Sequence, residues 1–136
     1  MKKIRIRIPD SVHIVLEQIL YPLAPSREQD GKSKEVNTFI SDSVTNSIAG
    51  IVASTGANKS DILKFILIGF KNAFIRSGGI TTEEQQIIKQ LARKYIKEAK
   101  TRHITKATLI PALLERICQT EDLNQFFKQL NNQGHD

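Results

Sequence analysis

Near its amino end the chain alternates strictly between cations and isoleucine, as Lys3-Ile4-Arg5-Ile6-Arg7-Ile8. A period of two is the pattern of a strand with one buried face, because successive strand side chains point to opposite sides. Three isoleucines then face a core, and Lys3, Arg5 and Arg7 face away from it together. Lys2 falls on the isoleucine side, but at the strand end its ammonium can reach solvent. A lone strand leaves its backbone donors and acceptors unpaired. This segment therefore needs a second strand, from a second copy of the chain or from further along the same one, and helices beneath it.

Pro9-Asp10-Ser11 supplies helix entry and capping, and Val12, Val15, Leu16, Ile19 and Leu20 recur on one helical face. Residues 22–33 carry two prolines, a glycine and many charges, which predicts an exposed loop. Residues 36–55 allow two readings. They can open as a strand, with Val36, Thr38 and Ile40 on one side, or be helical throughout; from Val44 helix is clear, and Gly56 ends it. Asn58 or Ser60 can cap a helix over 60–75 that is apolar nearly all round, which predicts burial on most sides in a shared core. Ser77-Gly78-Gly79 marks a boundary. One helix is expected over 82–99, with an apolar stripe from Ile87 to Ala99. Another starts near Thr108 or kinks at Pro111, and a last short one follows Thr120 before a fraying tail. A faint repeat links Ile8-Pro9-Asp10-Ser11-Val12 with Ile40-Ser41-Asp42-Ser43-Val44. The expected fold is mainly α, with one or two short N-terminal strands and about six helices. Residues 1–77 form one unit and 80–136 a helical module for oligomerisation or partner docking.

A chain of 136 residues, 40% hydrophobic and 25% charged, can bury a core, and with 6% aromatics that core is aliphatic. The formal net charge of +6 suits a polyanionic partner. The single cysteine, Cys118, excludes an intrachain disulfide and reads as a small buried apolar residue in a reducing compartment. No apolar run reaches the ~18 residues of a membrane span, and no apolar segment follows the N-terminal charges as in a signal peptide. A cytoplasmic protein is expected.

Catalytic chemistry finds little support. His13, His103 and His135 are widely separated, and no His-Glu-x-x-His or Cys-x-x-Cys spacing occurs, so no metal is expected. "GANKS" has one glycine and follows a helix, unlike a phosphate-binding loop. Asp10, Asp42 and Asp61 sit at helix starts, where capping accounts for them. No enzyme activity and no cofactor are expected. The cations do form patterns. Lys3, Arg5 and Arg7 suit a strand edge guarded against aggregation. They equally suit base reading, since an arginine fork binds guanine O6 and N7 together and a two-stranded ribbon fits the major groove. Lys89, Arg93, Lys97 and Lys100 recur opposite the apolar stripe, with Arg102 and Lys106 beyond. They make either a solvated face or a phosphate-contacting flank.

These stretches resemble the ribbon–helix–helix family of DNA-binding repressors, of the MetJ and Arc type. Two segments carry the resemblance: "KIRIRIPDSVHIVLEQI" and "VNTFISDSVTNSIAGIVASTGANKSDILKFIL". Together they cover residues 2–77. The resemblance implies base reading by Lys3, Arg5 and Arg7, and by Asn37 with Phe39 beside it. It also implies phosphate contact near Lys59 and Ser60, and a homodimer or higher homo-oligomer; Lys2, at the strand end, is a further candidate for phosphate contact. Pairing strand 3–8 with 36–40 inside one chain would reconcile the two segments. The implied function is sequence-specific binding of double-stranded DNA, in transcriptional repression, plasmid maintenance or conjugative DNA processing. The rival reading is a helical adaptor or antitoxin whose basic strand only protects an edge. A single-stranded nucleic-acid binder would need more exposed aromatics for stacking.

Overall fold

The computed structural model of the chain describes residues 2–21, 33–76 and 78–119. These form two strands and five helices: β1 (Lys2–Pro9), α1 (Asp10–Leu20), β2 (Ser33–Ile40), α2 (Asp42–Thr55), α3 (Lys59–Arg76), α4 (Thr82–Arg93) and α5 (Lys106–Gln119). The class is mainly α with a small antiparallel sheet at the amino end. The loop expected from residue 22, the helix capped by Thr120 and the tail lie outside the described residues, apart from Ser33, which opens β2. No helix among the described residues is long and apolar enough to cross a membrane.

The partner of β1 is β2 of the same chain. They pair antiparallel from Lys2 opposite Ile40 to Pro9 opposite Ser33, with Arg5 opposite Asn37. Residues 36–40 are thus strand, and no second copy is needed to complete the ribbon. Residues directly opposite share a face. Ile4, Ile6 and Ile8 therefore point inward with Val36, Thr38 and Ile40, and Ile6, Ile8, Thr38 and Ile40 are buried.

The faint repeat has a structural counterpart. Both strands run directly into a helix. Ser41 caps α2 by accepting a hydrogen bond from the Val44 amide at 3.3 Å, while Pro9, at φ −64°, enters α1 without a side-chain cap. Superposing the repeats sets Arg5 on Asn37, which are also the facing pair near the middle of the ribbon. An approximate two-fold axis therefore passes between them. The helices obey it: α3 packs on β1 and α1, α5 packs on β2 and α2, α3 also touches α2, and α5 touches α1. Thus α5 does for β2 what α3 does for β1. The turn at Gly78-Gly79 does not divide the core, since buried side chains from Ile6 to Ile117 form a single cluster. Over the described residues, α4 and α5 belong to the same packed body as the ribbon.

Helix α3 is buried on one side only. Leu63, Leu67, Phe70 and Ala73 face the core, whereas Phe65 is 71% and Ile75 62% exposed. The expectation of burial on most sides thus holds for the inner face alone.

Proline inside α5 explains a contact between layers. Pro111 has no N–H, so the Ala107 carbonyl one turn earlier loses its helical donor. The Thr38 hydroxyl, on the inward face of β2, donates to that carbonyl at 2.5 Å. A polar side chain is thereby tolerated at a position otherwise suited to isoleucine or valine. Thr38→Val keeps the shape and leaves the carbonyl unpaired, and is expected to cost ~1–3 kcal/mol in urea unfolding. In a Pro111→Ala background the restored helical N–H should reduce that cost to roughly 1 kcal/mol or less. An equal cost in both backgrounds would refute this account.

The helix expected over 82–99 ends at Arg93. The amides of Lys94, Tyr95 and Ile96 bond to the carbonyls of Leu91, Ala92 and Arg93, a tightening that ends α4. The cause lies outside the segment. Tyr95 is fully buried and its hydroxyl donates to the Glu115 carboxylate on α5, which also pairs with Lys94 Nζ at 2.9 Å. Burial, then the hydrogen bond and charge of Glu115, push the Tyr95 phenol above its ordinary pKa. The turns close at Lys100, whose φ of 54° lies in the left-handed region usually left to glycine.

On α1, His13 is 4% exposed, and neither ring nitrogen has a hydrogen-bond partner among the described residues. Burial lowers its pKa below 6.5, helped by Lys106 and Lys34 and opposed by Asp10 and Glu17. The unfolded chain thus takes up a proton before the folded one does. Stability contributed by neutral His13 is complete above pH 6.5 and is lost as pH falls below it, by up to about 1.4 kcal/mol per pH unit. Unfolding midpoints of the wild type and His13→Leu across pH 5–7.5 should diverge in slope below 6.5; parallel profiles would contradict this.

Candidate nucleic-acid interface

The outward face of the ribbon carries Lys3, Arg5 and Arg7 from β1 and Glu35, Asn37 and Phe39 from β2, because facing residues share a side. At the axis, Arg5 Nε donates to Asn37 Oδ1 at 3.4 Å. Both residues are exposed. Among the described residues, the terminal nitrogens of Arg5 and the amide nitrogen of Asn37 have no side-chain partner. Arg7 is engaged: it lies 3.6 Å from the Glu35 carboxylate and donates to Ser33 Oγ at 3.4 Å. Glu35 was not foreseen as part of the site. Its place follows from the register alone, since setting Arg5 against Asn37 forces Glu35 against Arg7.

Phe39, opposite Lys3, is buried and does not stand out as a base reader. It lines a cavity of about 610 Å³ beside the ribbon, together with Lys3, Arg5, Asn37, the Glu98–Lys100 turn and Ala107. On the other flank a second cavity of about 580 Å³ is lined by Arg5, Arg7, Glu35 and the start of α3 from Asn58 to Asp61, with Lys64. There Asn58 Oδ1 caps α3 by accepting from the Asp61 amide at 2.9 Å, and Ser60 Oγ donates to the Arg5 carbonyl at 3.4 Å. The helix start is thus tied directly to the middle of β1, with Lys59 and Ser60 half-buried beside it.

The structure brings Lys3, Arg5, Arg7 and Asn37 onto one face and sets Lys59, Ser60 and Lys100 on its flanks. Lys2 is exposed at the ribbon end, opposite Ile40. The cations expected along one helix are dispersed. Lys89 and Arg93 ride on α4, Lys89 half-buried, and line neither cavity, while Lys97 and Lys100 belong to the turns beyond it. The early end of α4 breaks their common face. Lys106 is committed to Glu17 on α1 at 2.8 Å. Cys118 is half-buried, and burial raises its thiol pKa, opposed by a hydrogen bond with Ser47. Comparison of the chain with protein-family models, with curated proteins and with solved structures gives no match.

Proposed function

We propose that the chain is a non-catalytic, sequence-specific double-stranded DNA-binding protein of the ribbon–helix–helix kind. The observation that carries this reading is the antiparallel ribbon itself, with Arg5 and Asn37 side by side at its centre on an exposed basic face. A two-stranded ribbon is narrow enough for the major groove, and an arginine fork matches guanine O6 and N7. The amides opening α3, beside Lys59 and Ser60, suit a backbone phosphate on one flank. On the other, Lys100 keeps a lysine where glycine would relieve backbone strain, which fits a charge wanted at that spot. Lys97 and Lys2 extend the phosphate-contacting set, and Lys89 and Arg93 belong to it only where DNA bends toward α4. The cellular role consistent with such a reader is repression of transcription, plasmid maintenance or conjugative DNA processing in the cytoplasm. The exposed Phe65 and Ile75 of α3 fit a homodimer or higher homo-oligomer.

Those same two residues favour the second reading, a helical adaptor or antitoxin, and there the Arg7–Glu35 pair merely blunts a strand edge. Selection of duplexes from a random pool separates the two. The DNA reader should enrich one motif, with log affinity falling against log salt at a slope of about −0.9 per phosphate contacted. An unenriched pool, together with a stoichiometric protein partner on copurification, would favour the adaptor.

A further inference from the structure

Building on the DNA-binding reading, we infer that the element read by one ribbon is not palindromic, because one chain supplies both strands and they differ at every outward position. In a ribbon made from two copies of one strand, the two-fold axis would repeat each base-facing side chain and impose an inverted repeat on the DNA. Here the approximate axis passes between Arg5 and Asn37, and it relates Lys3 to Glu35, Arg5 to Asn37 and Arg7 to Phe39. Three cations on one strand thus answer to an acid, an amide and a buried ring on the other.

The contacts sharpen this difference. Asn37 Oδ1 accepts from Arg5 Nε, which turns the amide oxygen along the ribbon toward Arg5 and competes with the two-way contact to adenine, while the amide hydrogens stay free among the described residues. Asn37 acts as a positioning residue: it holds the Arg5 fork and donates once beside it. Glu35 neutralises Arg7 at one end of the ribbon, while Lys3 at the other end faces an uncharged ring. Guanine preference is therefore concentrated on the bases facing β1, at Arg5 and then Lys3. The positions facing β2 follow a different and weaker rule.

The test uses the full chain and a duplex pool randomised over 20 positions (about two helical turns). The expected outcome is an enriched motif without internal two-fold symmetry, bound by one chain per element in a titration well above Kd. Duplexes rebuilt with either half mirrored across the centre should bind roughly tenfold or more weakly, the loss of at least one matched base pair. Asn37→Arg makes the strands alike at the axis and should narrow the gap toward the duplex with the β1-facing half mirrored. A single element that is itself palindromic, two chains converging on one element, or mirrored duplexes bound as tightly as the selected one would overturn the inference while leaving DNA binding intact; two asymmetric elements in inverted repeat, one per chain of a homodimer, would support it. A pool with no enriched motif would overturn the DNA-binding reading and this inference with it.

Discussion

Replacing Arg5 with alanine is expected to lower the ratio of specific to random-duplex affinity by about 10- to 100-fold, equivalent to ~1–3 kcal/mol. Arg5 sits at the centre of the exposed face, its Nε held by Asn37, and its two terminal nitrogens are the best-placed fork on the ribbon. Random DNA should lose little beyond one electrostatic contact, so the effect is on discrimination more than on total affinity. Lys97→Ala provides the contrast: both affinities should fall together, with the salt slope reduced by about 0.9. Gel-shift titrations at two salt concentrations read both quantities. An unchanged ratio for Arg5→Ala would remove this residue from base reading.

The second large effect concerns stability. Glu115→Ala should destabilise the fold by roughly 3–5 kcal/mol in denaturant unfolding, since it removes the acceptor of a buried hydroxyl and opens a void. Glu115 is 7% exposed and serves both Tyr95 and Lys94. Lys94 is more than half exposed and can turn to water, so most of the loss falls on the Tyr95 hydroxyl. Glu115→Gln keeps an acceptor and should recover a good part of it. Because Glu115→Gln also keeps the contact that fixes the turns leading to Lys100, it should bind all duplexes nearly as the wild type does. A loss below about 1 kcal/mol for the alanine variant would show that Tyr95 is held by packing alone.

What the sequence reveals and hides follows from how far each determinant lies from what it determines. The period of two in β1 and the glycine ending α2 are local signals, and both agree with the structure: Gly56 takes φ 72°. The early end of α4 is invisible locally, because Tyr95 leaves the helical path for a carboxylate 20 residues away. The equivalence of α3 and α5 is equally hidden. They share a task, to cover one strand and one helix, but no motif, and α4 separates them. In the candidate site, Lys3, Arg5, Arg7 and Asn37 were recoverable because strand alternation fixes their face. Glu35 and the covering of Phe39 required the pairing register and the turn packed beside it.

Closure of the ribbon within one polypeptide has a kinetic and a mass-action side. Strands joined by a tether meet at an effective concentration near the millimolar range, set by linker length rather than by how much protein the cell makes. The ribbon therefore forms in a unimolecular step and persists on dilution. A cell holding only a few copies of the chain would keep each of them equipped with a finished ribbon.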